Sequence, residues 1–346
     1  MLKLVDGKYI EMTQEEIKKI TEDLQDPFKV ATIGWDAYLI SDLHFCHPLE
    51  AMLKTRNCET VDEMDAKVIK NWNETIGPDD LVLVLGDVYF GGQDSKGPER
   101  FEQLNGHKII IPGNHDSPAK LKRLAKCRNT TIVNAGSIMV KFGKDKHTKN
   151  FLLSHYPTIT DNFDLEKPFN FAIRVFNAYG HIHDKQMFPD GSSHRCHVGA
   201  DALDCRPIRA KDMYREMQLM EIKNRYADIV KDEDFAKFSE WMRVNFLSNE
   251  NDEKYIPLFI ELFKSPKNID KETEKIEKEA IKELEEKFSS NKDIELCNKE
   301  IDKIKQEVKA IKDKIIEGVE LFAEIEPQKD PFDKMPYSEP NGHDEH

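Results

Sequence analysis

No apolar run in this sequence approaches the roughly 20 residues that a membrane-spanning helix needs. Hydrophobic residues make up 39% and charged residues 34% of the 346 positions, so no membrane partner is expected. Within Met1 to Ile10 the apolar positions are interrupted by Lys3, Asp6 and Lys8. That pattern lacks the continuous stretch of a secretory signal, and a cytoplasmic location is expected. Cysteine is sparse and dispersed: Cys46, Cys58, Cys127, Cys196, Cys205 and Cys297 form no C-x-x-C pair, which fits reduced thiols better than a disulfide framework. Positive charge is also short, with 51 Lys and Arg against 65 Asp and Glu, a formal net charge of -14. Binding along a phosphate backbone normally recruits a basic face, so long nucleic acid is the weaker partner expectation.

Three changes of pattern divide the chain. Residues 1–30 read as a preface, in which Thr13 and Glu16 form a capping box that opens a short helix. Residues 31–223 alternate short apolar runs with polar or glycine-rich turns. The runs read as strands are Ala37 to Ile40, Leu81 to Leu85, Lys108 to Ile111, Phe151 to Leu153, Val175 to Ala178 and His197 to Gly199. Helices are expected at Thr60 to Thr75 and Ala119 to Ala125, and this alternation implies an α/β layered domain. Residues 224–326 turn helical and charged. Ile294, Cys297, Ile301, Ile304, Val308, Ile311 and Ile315 recur at spacings of three and four, the seam of a coiled coil, with Ile269 to Phe288 as its expected antiparallel partner. This C-terminal helical extension either packs on its own chain or offers a surface for self-association or a protein partner. Residues 327–346 are Pro-rich and polar, and are expected to be disordered.

The chemistry stands at the strand ends. Ser41-Asp42-Leu43-His44 follows the first predicted strand, Gly86-Asp87 the second, and Pro112-Gly113-Asn114-His115-Asp116 the third. Ser154-His155 and Gly180-His181-Ile182-His183 follow the next two. In α/β sheets the C-terminal ends of strands converge on the ligand crevice, so these separated residues are expected to meet. They supply carboxylate, imidazole and amide groups that suit divalent first-row metals. Asp42, His44, Asp87, Asn114, His155, His181 and His183 are too many for one ion and enough for two incomplete shells, with Asp87 between them. Alternation in an extended segment would aim both residues of D-x-H and of H-x-H to the same side. Two such ions, about 3.5 to 4 Å apart, can activate water and clamp a phosphoryl group. His115, which has no assigned metal, is the candidate general acid, with Asp116 or another carboxylate orienting its ring. His47 and Arg56 are candidates for contacting substrate phosphate, although a structural histidine is an equal reading of His47 and an ordinary surface arginine the simpler reading of Arg56.

The ordered series D-x-H, G-D, G-N-H-D, H and G-H-x-H resembles the calcineurin-like metallophosphoesterase superfamily over about Ala37 to Ile208. Ser41 to His47, Asn71-Trp72-Asn73 and Val198-Gly199-Ala200-Asp201 through Arg206-Pro207 are similar to small bacterial and phage members. Those commonly carry Gly at the position of Cys46 and Asn at that of His197. The resemblance implies a β-sandwich flanked by helices. It places one metal on Asp42, His44 and His183 and the other on Asn114, His155 and His181, with Asp87 bridging; the metals would be Mn, Fe or Zn. It implies a phosphatase or phosphodiesterase acting on a small phosphoester such as a nucleotide. The alternatives are a nuclease of the same superfamily and a non-catalytic interaction scaffold.

Overall fold

The computed structural model describes residues 2–5, 8–11, 14–26, 29–144, 147–158, 175–225, 232–245, 268–288 and 294–322. The chain divides into two compact units, Met1–Glu221 and Ile222–His346. The first opens with a hairpin, β1 (Leu2–Val5) and β2 (Lys8–Glu11), followed by α1 (Gln14–Gln25) and β3 (Ala31–Ile33). Then come β4 (Tyr38–Ile40), α2 (Glu50–Thr55), α3 (Val61–Thr75), β5 (Leu81–Val84), α4 (Gly97–Phe101), β6 (His107–Ile110), α5 (Pro118–Leu124) and β7 (Thr130–Ile132). The unit continues with β8 (Ser137–Lys144), β9 (His147–Ser154), β10 (Val175–Tyr179), β11 (Arg195–His197) and β12 (Ile208–Arg209), and α6 (Ala210–Arg225) begins within it.

Ten of these strands form two five-stranded mixed sheets, in the orders β12-β4-β5-β6-β7 and β11-β10-β9-β8-β3. The sequence of β5, Leu-Val-Leu-Val, shows why the sheets are layered. All four side chains are buried, as in a strand covered on both faces. Leu81 and Leu83 join the core between the sheets, with Leu39, Ile109, Val140, Phe142, Phe151 and Phe176. Val82 and Val84 face the opposite way, into a second core with Val68 and Trp72 of α3, Phe101 of α4 and Leu124 of α5. Period-2 alternation thus fills one sheet's two faces from a single strand.

Helix α3 begins as its sequence predicts: the Thr60 side chain accepts a hydrogen bond from Glu63 N at 3.2 Å, an N-cap that satisfies one of the helix's orphan donors. The Asn71-Trp72-Asn73 motif is a structural clasp. Trp72 Nε1 donates to Asn105 O at 3.1 Å, Asn71 Nδ2 to Asp204 O at 2.7 Å, and Asn73 Oδ1 accepts from Asn105 N at 2.9 Å.

Some expectations shift. The strand expected at His197 to Gly199 lies at Arg195–His197, and the chain then runs beside Ser41, with Ser41 N donating to Val198 O and Ala200 N to Ser41 O. Strands β3, β7, β8 and β12 and helices α2 and α4 were not anticipated. Cys46, Cys58, Cys127, Cys196 and Cys205 are free thiols.

The second unit contains α7 (Asp232–Asn245), α8 (Ile269–Phe288) and α9 (Ile294–Phe322). Helices α8 and α9 pack on each other and α9 also meets α7. Val308, Ile311 and Ile315 of the expected seam are buried, Lys312 pairs with Asp270 at 2.6 Å, and Lys314 Nζ donates to Asn245 O at 2.8 Å. No described helix is long and apolar enough to cross a membrane. The cap at Thr13, residues 246–267 and 289–293, and the tail at 327–346 lie outside the described residues.

Candidate metal centre

Both sheets contribute to one crevice. Strands β4, β5 and β6 run parallel, as do β9 and β10. Their C-terminal ends present Asp42 and His44, Asp87, Asn114, His155, and His181 with His183. Direct bonds cross between the sheets here: His181 N donates to Asp42 Oδ2 at 2.9 Å, and His155 Nδ1 lies 2.9 Å from Leu85 O. Gly180 allows this approach, because a Cβ there would overlap Ser41 Oγ and Asp42 Oδ2.

Backbone geometry aims the side chains, though not by the expected strand alternation. Asp42, His44, Asp87, His181 and His183 have φ values of 58°, 50°, 55°, 74° and 53°. D-x-H and H-x-H are therefore pairs of left-handed residues in turns. Non-glycine residues pay on the order of 1 kcal/mol for such φ angles, and such outliers concentrate at functional sites. Cys46 shares the conformation, at φ 61°, a backbone setting that glycine adopts without strain.

Asp42, His44 and His183 form the first group able to hold an ion, with candidate ligand atoms within 4.8 Å of one another. His44 Nε2 lies 3.7 Å from Asp42 Oδ1 and 3.6 Å from Asp87 Oδ2, and His183 Nε2 lies 3.8 Å from Asp42 Oδ1. These separations are too long for hydrogen bonds, yet Asp42 Oδ1 and both His44 nitrogens are buried without a hydrogen-bond partner. Orphaned buried polar atoms are rare and costly, and a shared cation would satisfy Asp42 Oδ1 and His44 Nε2 together. Asp42 nevertheless stays acidic: burial would raise its pKa, but the surrounding histidines lower it below the usual value.

Asp87, His155 and His181 form the second group, joined by Asn114. Asn114 Oδ1 is 2.8 Å from His155 Nε2 and 3.0 Å from His181 Nδ1, and the two ring nitrogens are 3.2 Å apart. Asp87 Oδ2 lies 3.2 Å from His155 Nε2. One proton cannot serve all four of these lone-pair-bearing atoms, whereas one cation can. Burial opposes ionisation of Asp87, but the His155 imidazole and the His115 backbone N–H hold its carboxyl down to about 2. Of the two carboxylates in these groups, Asp87 is the one within 4 Å of ring nitrogens from both.

The donor set therefore fits two transition-metal ions. Because ligands come from both sheets, bound ions stabilise the domain by linkage, worth about 4 kcal/mol at a thousandfold excess of metal over its dissociation constant. Chelation should lower the thermal unfolding midpoint and Mn²⁺ should restore it; a midpoint indifferent to both would show that no ion is held.

His115 is near the centre yet accessible, with a side chain 43% exposed and Nε2 4.0 Å from Asp87 Oδ2. Its backbone N donates to Asp87 Oδ1 at 2.8 Å. Asp116 does not orient it. The Asp116 carboxylate accepts from Asp87 N at 2.7 Å, Gly113 N at 3.0 Å and Val88 N at 3.2 Å, so it ties together the turns after β5 and β6. Asp116→Asn would place an amide donor against these backbone donors. It should cost about 1 to 3 kcal/mol of stability in denaturant titration, while leaving any preference among leaving groups unchanged.

His47 lies at the rim. Its Nδ1 accepts from Leu49 N at 3.2 Å, and its ring meets Phe90 and His44 at centroid distances of 4.2 and 5.2 Å. Burial and the neighbouring His44, His115 and His183 depress its pKa to about 4. Arg56 is neither a surface residue nor exposed to a substrate. It is 2% exposed, and its guanidinium is held by Asp201, Leu43 O and Asp42 O. Asp201 was missed as a site residue: its Oδ2 lies 2.6 Å from His183 Nδ1. The Val-Gly-Ala-Asp motif was the available signal. His197 is fully buried behind the centre, with Nε2 unpartnered.

Comparison with known proteins places this site in a family. The model of the calcineurin-like phosphoesterase family matches residues 37–231, more than half of the chain. The chain is 41% identical over 80 residues to an uncharacterized protein of Methanocaldococcus jannaschii, a match covering 23% of this chain and 46% of that protein. It is 30% identical over 185 residues to the Gene 66 protein of Mycobacterium phage L5, covering 48% of this chain and 87% of the relative. A solved protein of unknown function from Aquifex aeolicus is 21% identical and is matched over 51% of this chain and 95% of its own, with a TM-score of 0.35. That superposition is too poor to add to the argument. The five strand-end motifs, the two ion-binding groups and the family match agree, and the chain belongs to the calcineurin-like phosphoesterases.

Proposed function

We propose that this protein hydrolyses a small phosphomonoester or phosphodiester, with nucleotides among the candidate substrates. One ion would be held by Asp42, His44 and His183, the other by Asn114, His155 and His181, with Asp87 shared; Mn is the first choice of metal, ahead of Fe and Zn. When bound, such ions supply an activated water and a positive clamp for phosphoryl oxygens. The observation that carries the reading is the convergence of two ligand groups on a shared Asp87, with the accessible His115 ring beside it.

The residues then divide the work. Asp87 fixes the His115 backbone and so holds the imidazole where it can give a proton to a departing alkoxide. His47 is half-buried and neutral near pH 7, and because its Nδ1 accepts from Leu49 N, Nε2–H is left to donate to a phosphate oxygen. Net charge favours a compact substrate over a polynucleotide.

A screen of the Mn²⁺-reconstituted protein across monoesters, cyclic nucleotides, dinucleotide polyphosphates and oligonucleotides tests this. Turnover of small esters is expected. Preference for oligonucleotides would replace the reading with a nuclease, and inactivity on every class with metal bound would leave a scaffold.

A further inference from the structure

The buried Arg56 is connected to only one of the two ligand groups. Its Nε lies 2.8 Å from Asp201 Oδ1, in a pair whose side chains are each 1% exposed. The other oxygen of the same carboxylate lies 2.6 Å from His183 Nδ1. Arg56 also donates through one terminal nitrogen to Asp42 O at 2.7 Å and through the other to Leu43 O at 2.8 Å. One planar, permanently charged fork thus grips the backbone of ligand Asp42 and, through Asp201, the ring of ligand His183.

Both contacts set the direction of ligand atoms. The hydrogen bond to Asp201 fixes Nδ1 of His183 as the donor and leaves Nε2 turned toward Asp42 Oδ1, 3.8 Å away. The carbonyl contacts hold the segment in which Asp42 and His44 take their left-handed φ angles. In the second group His155 Nδ1 meets Leu85 O, and His181 meets Asp42 only through its backbone N, which donates to Asp42 Oδ2; Arg56 makes neither contact. A guanidinium stays charged at working pH, and Asp201 is the carboxylate that offsets its burial. Lysine cannot replace it, since an ammonium lacks the fixed in-plane donors that reach three acceptors at once.

We propose that Arg56, acting through Asp201 and the Asp42–Leu43 backbone, is the positioning residue for the ion on Asp42, His44 and His183 and has no part in holding the other. The proposal rests on the two-metal reading above. Partners of metal-bound histidines typically change affinity about 10- to 100-fold when altered, and here that loss falls on one ion.

The test is Mn²⁺ titration of the full-length, metal-stripped protein by calorimetry, with metal content measured after dialysis. The wild type, Arg56→Lys, Asp201→Asn, His183→Ala and the Arg56→Lys/His183→Ala double variant are compared. The wild type is expected to take two ions. Arg56→Lys and Asp201→Asn should each keep one at wild-type affinity and bind the other about 10- to 100-fold more weakly. The double variant should still keep one ion at wild-type affinity, because both changes act on the same other ion. Equal weakening of both ions, no weakening of either, or weakening of the retained ion in the double variant would overturn the assignment. Failure of both single variants to fold would also overturn it, by placing the pair in domain stability. A wild type that takes up no Mn²⁺ would instead defeat the functional reading.

Discussion

Replacing Asp87 with asparagine should remove turnover and cost the protein at least one of its two ions. Asp87 Oδ2 lies 3.2 Å from His155 Nε2 and 3.6 Å from His44 Nε2, so it stands beside both groups. Asparagine keeps the shape but removes the charge, and either orientation of its amide compromises a role. With the oxygen toward His115 N, an NH₂ faces the ring nitrogens and any cation; with the reverse, an NH₂ meets the His115 N–H that now donates at 2.8 Å. Changing an outer partner alone typically costs about 10- to 100-fold, and loss of the shared ligand itself should exceed that. Metal content after dialysis and kcat/KM on the best substrate measure the two effects. Near-normal values for both would remove Asp87 from the centre.

His115→Ala should act differently, sparing metal content while slowing turnover according to the leaving group. A positioned proton donor is worth roughly 10² to 10⁴ in rate. That benefit disappears when the departing oxygen is already a good leaving group. Alkyl phosphoesters should therefore lose most of that factor and nitrophenyl esters little. The prediction follows from placement: His115 stands 4.0 Å from the shared carboxylate, with a side chain 43% exposed, near the reacting group without belonging to either ligand cluster. Equal losses on alkyl and aryl substrates would deny it the donor role.

Much of the centre was legible because the ligands lie in short segments directly after apolar runs. The Leu81–Val84 strand and its Gly86-Asp87 turn are local signals, as is the apolar face of α3. Strand alternation was the wrong account of D-x-H spacing, because turn conformations at single residues leave no periodicity to read. Arg56 was misplaced for a different reason. Nothing near it in sequence reports that Asp201, 145 positions away, buries its charge. Asp116 likewise gave no sign that three backbone donors from two separate turns would occupy its oxygens. Strand β8 escaped because its early residues are largely exposed, and its identity depends on an eight-residue antiparallel register with β9.

The left-handed turns carry a consequence for how substitutions here are read. Aspartate, asparagine and histidine are the residues other than glycine that most readily tolerate positive φ, and they are also among the side chains that chelate. Selection for one property at these positions thus brings the other with it. An alanine scan would confound two losses, the vanished donor atom and a methyl-bearing residue forced into an unfavourable rotation. Glycine at Asp42, His44, Asp87, His181 or His183 deletes the donor without that strain, and the paired glycine and alanine variants differ by the relieved strain less the added freedom of the unfolded chain.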